Sequence, residues 1–182
     1  DGLLSSSTIA ARPVDGLDLL GNFNYRQADE YEDGNGTPIS GSDFEAPSGL
    51  LKGTYQFGAA KEHKLRASYQ HWTTEENDSD YSQTGTIDAF GTVDRTVTDQ
   101  TGVLSYNYTP TSNPLIDLEL FTSYSNTEVD QSDSSNAATS TSSLYADTEY
   151  AYETWQARAE NTASFTGDNY ENYLITGVSY AF

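Results

Sequence analysis

The residues suited by type to chemistry are two histidines, a spaced pair of carboxylates and one acidic run. His63 and His71 are the only imidazoles, and imidazole is a common ligand for haem iron and other metals. They stand eight residues apart along one hairpin arm, a spacing that suits no compact site. Asp117 and Glu119 are two apart, so in a strand they share a face, as two carboxylates must for acid–base work. Lys and Arg on neighbouring strands explain them better, as counter-charges. The run "DEYEDGNGT", Asp29–Thr37, hints at calcium. A calcium loop of the EF type needs oxygen ligands at alternating positions and a final Glu. Counting from Asp29, the third position is Tyr31 and the twelfth is Ser40, so a Gly-rich loop tip is the better reading. Serines abound, but no Gly-x-Ser-x-Gly elbow occurs. The sequence therefore points to a protein that is not an enzyme, and it assigns no cofactor and no metal ligand.

The elements that hold these residues show in the alternation. In "LIDLELFTSYSN", Leu115–Asn126, Ile116, Leu118, Leu120, Thr122 and Tyr124 point one way. Asp117, Glu119, Phe121, Ser123 and Ser125 point the other. Seven further segments share this period of two: Leu3–Arg12, the weakest because Ser-rich, then Leu17–Arg26, Leu50–Phe57, Lys64–Trp72, Thr96–Tyr108, Tyr150–Phe165 and Tyr173–Phe182. One face gathers apolar residues, with aromatics near the ends: Tyr25, Phe57, Tyr108, Tyr124, Phe165 and Phe182. The other gathers charges of both signs.

Composition favours placing the greasy face outside. Only 35% of the 182 residues are hydrophobic, and the net charge is −20, a poor endowment for a soluble core. A transmembrane barrel needs apolar residues at only half the positions of each strand, because its interior is polar. No run of about 18 apolar residues is present to form a spanning helix. With only 8 Lys and Arg against 28 Asp and Glu, nucleic acid is not an expected partner. The alternative is a soluble sandwich with one solvated face. The aromatic belts and the succession of hairpins favour the membrane.

The connections alternate in length. Pro13–Gly16, Gly58–His63, Thr109–Pro114 and Gly167–Asn169 are short and rich in turn residues. Residues 27–47, 73–95 and 127–148 are long. They hold 6, 6 and 4 acidic residues, 16 of the 28, and a single base, Arg95. Outer-membrane barrels have short periplasmic turns and long outer loops, so these three segments are expected outside, acidic and hydrated. "DQSDSSNAATSTSS", Asp130–Ser143, is of low complexity and expected to be mobile. The chain starts at Asp1 without a signal peptide, as a mature protein or a fragment does. Both ends then fall on the outer side, which a piece of a larger barrel explains most simply.

Several stretches resemble the haem and haemoglobin uptake group of TonB-dependent outer-membrane receptors. They are "LDLLGNFNYRQADEYEDGNGTPISGSDFEAPSGLLKGTYQF", "HKLRASYQHW", "LSYNYTPTSNPLIDLELFTSYSNTEVDQ" and "WQARAENTASF". The similarity spans most of residues 8–182 and corresponds to the early barrel, after the plug. It implies an all-β antiparallel transmembrane barrel in the outer membrane of a Gram-negative bacterium, with import of haem or another iron compound. It also implies haem or a haem-carrying protein at the outer loops, and TonB acting only through a plug. These residues contain neither plug nor TonB box. The family's histidine between FRAP-like and NPNL-like segments is missing as well, so no haem ligand is placed. The alternative is a self-contained eight-stranded barrel with a structural or small-pore role. That barrel needs its first strand to pair with its last.

The pattern makes a direct forecast. Leu104, Tyr106, Leu118, Leu120, Tyr124, Val178 and Tyr180 face lipid, while Lys52, Arg66, Glu119, Arg158 and Glu160 face the lumen. Spin labels on the two sets should separate by oxygen and nickel accessibility, and equal accessibility would mean that the sheet is not a membrane wall. An Arg on the lipid face at mid-membrane costs about 2–4 kcal/mol, so Leu120→Arg should impair insertion far more than Glu119→Arg.

Overall fold

The computed structural model describes residues 2–39, 41–80, 91–135 and 147–182. They form one antiparallel sheet of eight strands in sequence order. The strands are β1 (Gly2–Val14), β2 (Leu17–Ala28), β3 (Phe44–Phe57), β4 (His63–Asp80), β5 (Thr92–Tyr108), β6 (Leu118–Ser132), β7 (Thr148–Gly167) and β8 (Tyr170–Ala181). Each pairs only with its chain neighbours, so β1 and β8 each keep one backbone edge without a partner among the described residues. The chain is all-β, as the alternation predicts.

Several strands run further than their apolar periodicity. β3 begins at Phe44 rather than Leu50, β4 continues to Asp80 rather than ending at Trp72, and β6 continues to Ser132. The connections expected at 27–47, 73–95 and 127–148 therefore narrow to 29–43, 81–91 and 133–147. The β4 extension is made of Thr, Glu, Asn, Asp and Ser, and those of β3 and β6 carry few apolar residues, but a ladder of backbone bonds needs no apolar side. Residues 81–90 and 136–146, which include much of the low-complexity stretch, lie outside the described residues. Pro47 hides the start of β3. It has no N–H to donate, and the β3–β4 ladder skips from Ser48↔Trp72 to Glu45↔Glu75 around it. In the other direction, Leu115–Asp117 belong to the turn before β6: Leu115 N donates to Asn113 Oδ1 at 3.1 Å.

Register fixes which residues share a face. One ladder row joins Leu17, Tyr55, Leu65, Tyr106, Leu120, Ala159 and Val178. The next joins Leu19, Gly53, Ala67, Leu104, Thr122, Ala157 and Tyr180. Leu19 and Leu51 each lie over the partner strand's glycine, about 3.5 Å from where a Cβ on Gly53 or Gly21 would stand. This apolar face drifts against the hydrogen-bond rows. Leu17, at the start of β2, shares its row with Ala159, six residues up β7 from Phe165. Strands tilted across the apolar band produce such a drift.

The sheet has almost no interior. Among the described residues the buried apolar side chains are Val93 and Val129, while Leu51 and Val178 are 65% and 70% exposed. A sheet with its large apolar side chains outside and no second layer cannot rest on a water-excluded core.

Asp15–Gly16 is a two-residue reversal, as is Asp168–Asn169. Gly16 has φ +81°, and a Cβ there would stand 2.2 Å from Gln56 O. That carbonyl neighbourhood is fixed because Gln56 N donates to Gly16 O at 2.8 Å. Gly16→Ala should lower stability by about 1–2 kcal/mol from the left-handed backbone alone, with more from the displaced β3. Gly34→Ala, where nothing lies within 4 Å, should be near neutral. Urea unfolding of the two variants in detergent, followed by tryptophan emission, checks the contrast.

Candidate functional site

The charged face gathers ionic side chains on rigid elements. Its rows follow from the register. Asp18, Thr54, Arg66, Ser105, Phe121, Arg158 and Ser179 form one. Gln56, Lys64, Asn107, Glu119, Glu160 and Gly177 form the row nearer the short turns. Leu20, Lys52, Ser68, Val103, Ser123, Gln156 and Ala181 form the row on the other side. The five charged residues expected on this face, Lys52, Arg66, Glu119, Arg158 and Glu160, thus lie together on it. The seven expected opposite them, from Leu104 to Tyr180, lie together on the apolar face.

Glu119 is the best-satisfied carboxylate here. It accepts a hydrogen bond from Arg158 Nη2, and Asn107 Nδ2 donates to its other oxygen at 3.4 Å. Arg158 also sits 5.8 Å from the centre of the Phe121 ring, a cation–π distance. Arg12 and Asp18 pair at 2.6 Å, and Lys61 reaches Asp15 at 2.8 Å between the first two short turns. The Lys61 ammonium holds the Asp15 carboxyl below its ordinary range. At the other end of the strands Arg95 approaches Glu76 at 3.8 Å.

The carboxylate pair considered for acid–base chemistry does not assemble. Asp117 lies in the turn and accepts from Thr109 Oγ1 at 3.0 Å, whereas Glu119 is engaged by Arg158. The acidic loop tip also has a structural use. Asp33 Oδ1 accepts from Asn35 N at 2.8 Å and Thr37 N at 3.0 Å, closing a turn around Gly36. Those backbone donors hold its carboxyl below the ordinary range.

The histidines are on the apolar face, and both belong to β4. His63 is its first residue rather than part of the turn. Its Nδ1 lies 2.7 Å from Tyr106 Oη, and its ring stacks between Phe57 at 4.9 Å and Tyr108 at 4.6 Å. Together with Tyr55 this makes an aromatic patch at the short-turn border of the apolar band. Tyr124 and Trp155, 4.6 Å apart, mark the opposite border, where Phe182 bonds to the Trp155 backbone. His71 lies within β4 instead of at its end, about 26 Å along the strand from His63 at strand rise. The two therefore share no ligand. The aromatic patch around His63 was not visible in the sequence, because it depends on which residues of β3, β4 and β5 stand opposite one another.

No family model and no curated protein sequence matches the chain. Its fold does match solved structures. The FrpB iron transporter from Neisseria meningitidis, F3-3 variant, superposes with a TM-score of 0.75 at 16% identity, over 100% of this chain and 28% of that one. The F5-1 variant in its apoprotein form gives 0.72 at 14% identity, over 100% and 27%. A double mutant of the Serratia marcescens hemophore receptor HasR, in complex with its hemophore HasA and heme, gives 0.72 at 18% identity, over 98% and 24%. The chain therefore spans about a quarter of the length of these structures, and at this identity the likeness shows the fold: a transmembrane-barrel sheet of eight antiparallel strands.

Proposed function

We propose that these eight strands form part of the barrel wall of a TonB-dependent outer-membrane receptor that imports haem or another iron compound. The observation that carries this reading is the match of the entire sheet to a quarter of an iron transporter. In this arrangement the apolar face, with Leu104, Tyr106, Leu118, Leu120, Tyr124, Val178 and Tyr180, lies against outer-membrane lipid. The face with Lys52, Arg66, Glu119, Arg158 and Glu160 lines the lumen. The short turns are periplasmic, and segments 29–43, 81–91 and 133–147 are outside, where haem or a haem-carrying protein is met. The HasR complex with HasA and heme supports that last assignment by analogy. TonB acts through a plug rather than through these strands.

The unpaired edges of β1 and β8 favour this reading over a self-contained eight-stranded barrel. In lipid each unsatisfied backbone group costs several kcal/mol, so only closed sheets span. Neighbouring strands of a larger barrel complete both edges.

Two measurements test the proposal. Deleting the gene should abolish growth on haem, or on one other iron compound, as sole iron source, and a plasmid copy should restore it. Unchanged growth on every iron source would refute import. Protease added to intact cells should cut within the long segments, and cutting at Gly58–Glu62 would invert the orientation. If residues 1–182 alone refolded into a heat-modifiable, protease-resistant monomer, the small closed barrel would replace the receptor.

A further inference from the structure

The run that fails as a calcium loop folds into a small hairpin of its own. Ile39 N donates to Tyr31 O at 2.9 Å, and Glu32 pairs with Pro38. Asp33 N donates to Thr37 O at 2.8 Å, so Gly34, Asn35 and Gly36 form the tip, and all three are exposed. Asn35 is the one asparagine in the sequence with glycine after it. Asparagine is thermolabile because the next backbone nitrogen attacks its side-chain amide, and a side chain on the next residue hinders the ring that forms. Gly36 removes that hindrance. Within 4 Å of where its Cβ would stand there is only Glu32 Oε2, a base, at 3.9 Å, and its φ of +83° is one that glycine adopts freely. The other asparagines lack this setting. Asn22, Asn24, Asn107, Asn126 and Asn161 stand in strands paired on both sides, where ladders hold the following N–H groups. Asn113 precedes Pro114, which has no N–H, and Asn77 is followed by Asp78 and donates to Asp43 Oδ2 at 3.0 Å.

We propose that Asn35 is a self-modifying site, where Gly36 N displaces the side-chain nitrogen and position 35 becomes isoaspartate or aspartate. The proposal goes beyond the receptor reading and does not depend on it. Gly36 N gives up its proton, with the Glu32 carboxylate placed to accept it, and bonds to Asn35 Cγ. The Cγ–Nδ2 bond breaks, and the leaving nitrogen takes a proton and departs as ammonia. Water then opens the cyclic imide at either carbonyl, so nothing besides water is consumed. The bond from Gly36 N to Asp33 O, 3.0 Å long, has to open first. At an exposed tip water replaces such a bond at little net cost. Opening the imide at the main-chain carbonyl gives isoaspartate, which routes the backbone through Cγ and adds a methylene to the tip. It also leaves a new carboxylate near Glu32 and Asp33. Both changes oppose the turn that Asp33 Oδ1 closes by accepting from Asn35 N and Thr37 N. The segment between β2 and β3 therefore exists in two covalent states, and the share of the second records the age of the molecule.

Timed incubation of membranes from cells making the full-length protein tests the site. Samples held at neutral and mildly alkaline pH are digested in mild acid, which halts the reaction, and the peptides are mapped by mass spectrometry. The tip peptide should resolve into amide, aspartate and isoaspartate forms, and a protein-isoaspartate methyltransferase should label the last of these. Conversion should speed up as pH rises, since Gly36 N has to lose a proton, while Asn22 and Asn24 stay amides in the same digest. Gly36→Ala should abolish the isoaspartate form. So should Asn35→Gln, which keeps an amide but forces a larger ring. If Asn35 stays an amide in the membrane, whether or not the urea-unfolded chain converts, the folded turn is not a self-modifying site and the proposal falls. Conversion to aspartate without isoaspartate means direct hydrolysis and overturns it too, as does equal conversion in the Gly36→Ala variant.

Discussion

The constraint on which everything else depends is the backbone hydrogen bond. A chain with two buried apolar side chains among its described residues has no core to hold it together, so its order rests on seven ladders of N–H to C=O bonds between consecutive strands. In water such a sheet gains little, because water satisfies the same groups. In hydrocarbon the alternative is an unsatisfied group at several kcal/mol, and the ladder becomes the only acceptable state. The side chains then select the solvent rather than the fold. The apolar face needs only enough Leu, Tyr, Val and Ala to make contact with lipid favourable. This is why a sheet with Gly21, Gly53 and Gly102 in its apolar rows is still compatible with a membrane.

The charged face shows what local pairing achieves and where it stops. Arg158 finds Glu119 across one ladder and Phe121 beneath it. Arg12 and Asp18 meet across the first hairpin. Each such pair removes a charge from the list that this face has to accommodate. The β3–β4 stretch carries cations without that relief, next to Thr, Ser, Gln and Asn that offer dipoles only. The sheet is thus electrostatically uneven, basic on the β3–β4 stretch of this face and acidic toward the long segments.

Much of this was legible in the sequence, and the limits have physical causes. The central halves of the strands were readable because an apolar residue stands at nearly every second position, as in Leu17–Tyr25 and Leu118–Tyr124. β1 gave a faint signal, since Ser5, Ser6 and Ser7 carry no apolar mark. It forms nonetheless on its backbone ladder to β2, along which Ser6 Oγ donates to Asn24 Oδ1 and Asn22 Nδ2 to Thr8 Oγ1, both at 2.7 Å. The outer ends of β4, β5 and β6 were read as loop because polar residues dominate them, with Val93 and Val129 too isolated to mark an apolar period. The counter-charge for Glu119 was anticipated in kind. The isolation of Lys52, Lys64 and Arg66 was not, since it depends on exact register, and a shift of one residue exchanges every neighbour.

The strand extensions beyond the apolar band also bear on entropy. Read as loop, the segment between β4 and β5 runs from Thr73 to Arg95, all of it to be ordered when something binds. In the structure Thr73–Asp80 and Thr92–Arg95 are already held in the β4–β5 ladder. Fixing a residue's backbone costs about 1–2 kcal/mol. For those residues that cost is met when the sheet forms, and any molecule that engages this end of the protein meets a preorganised rim there.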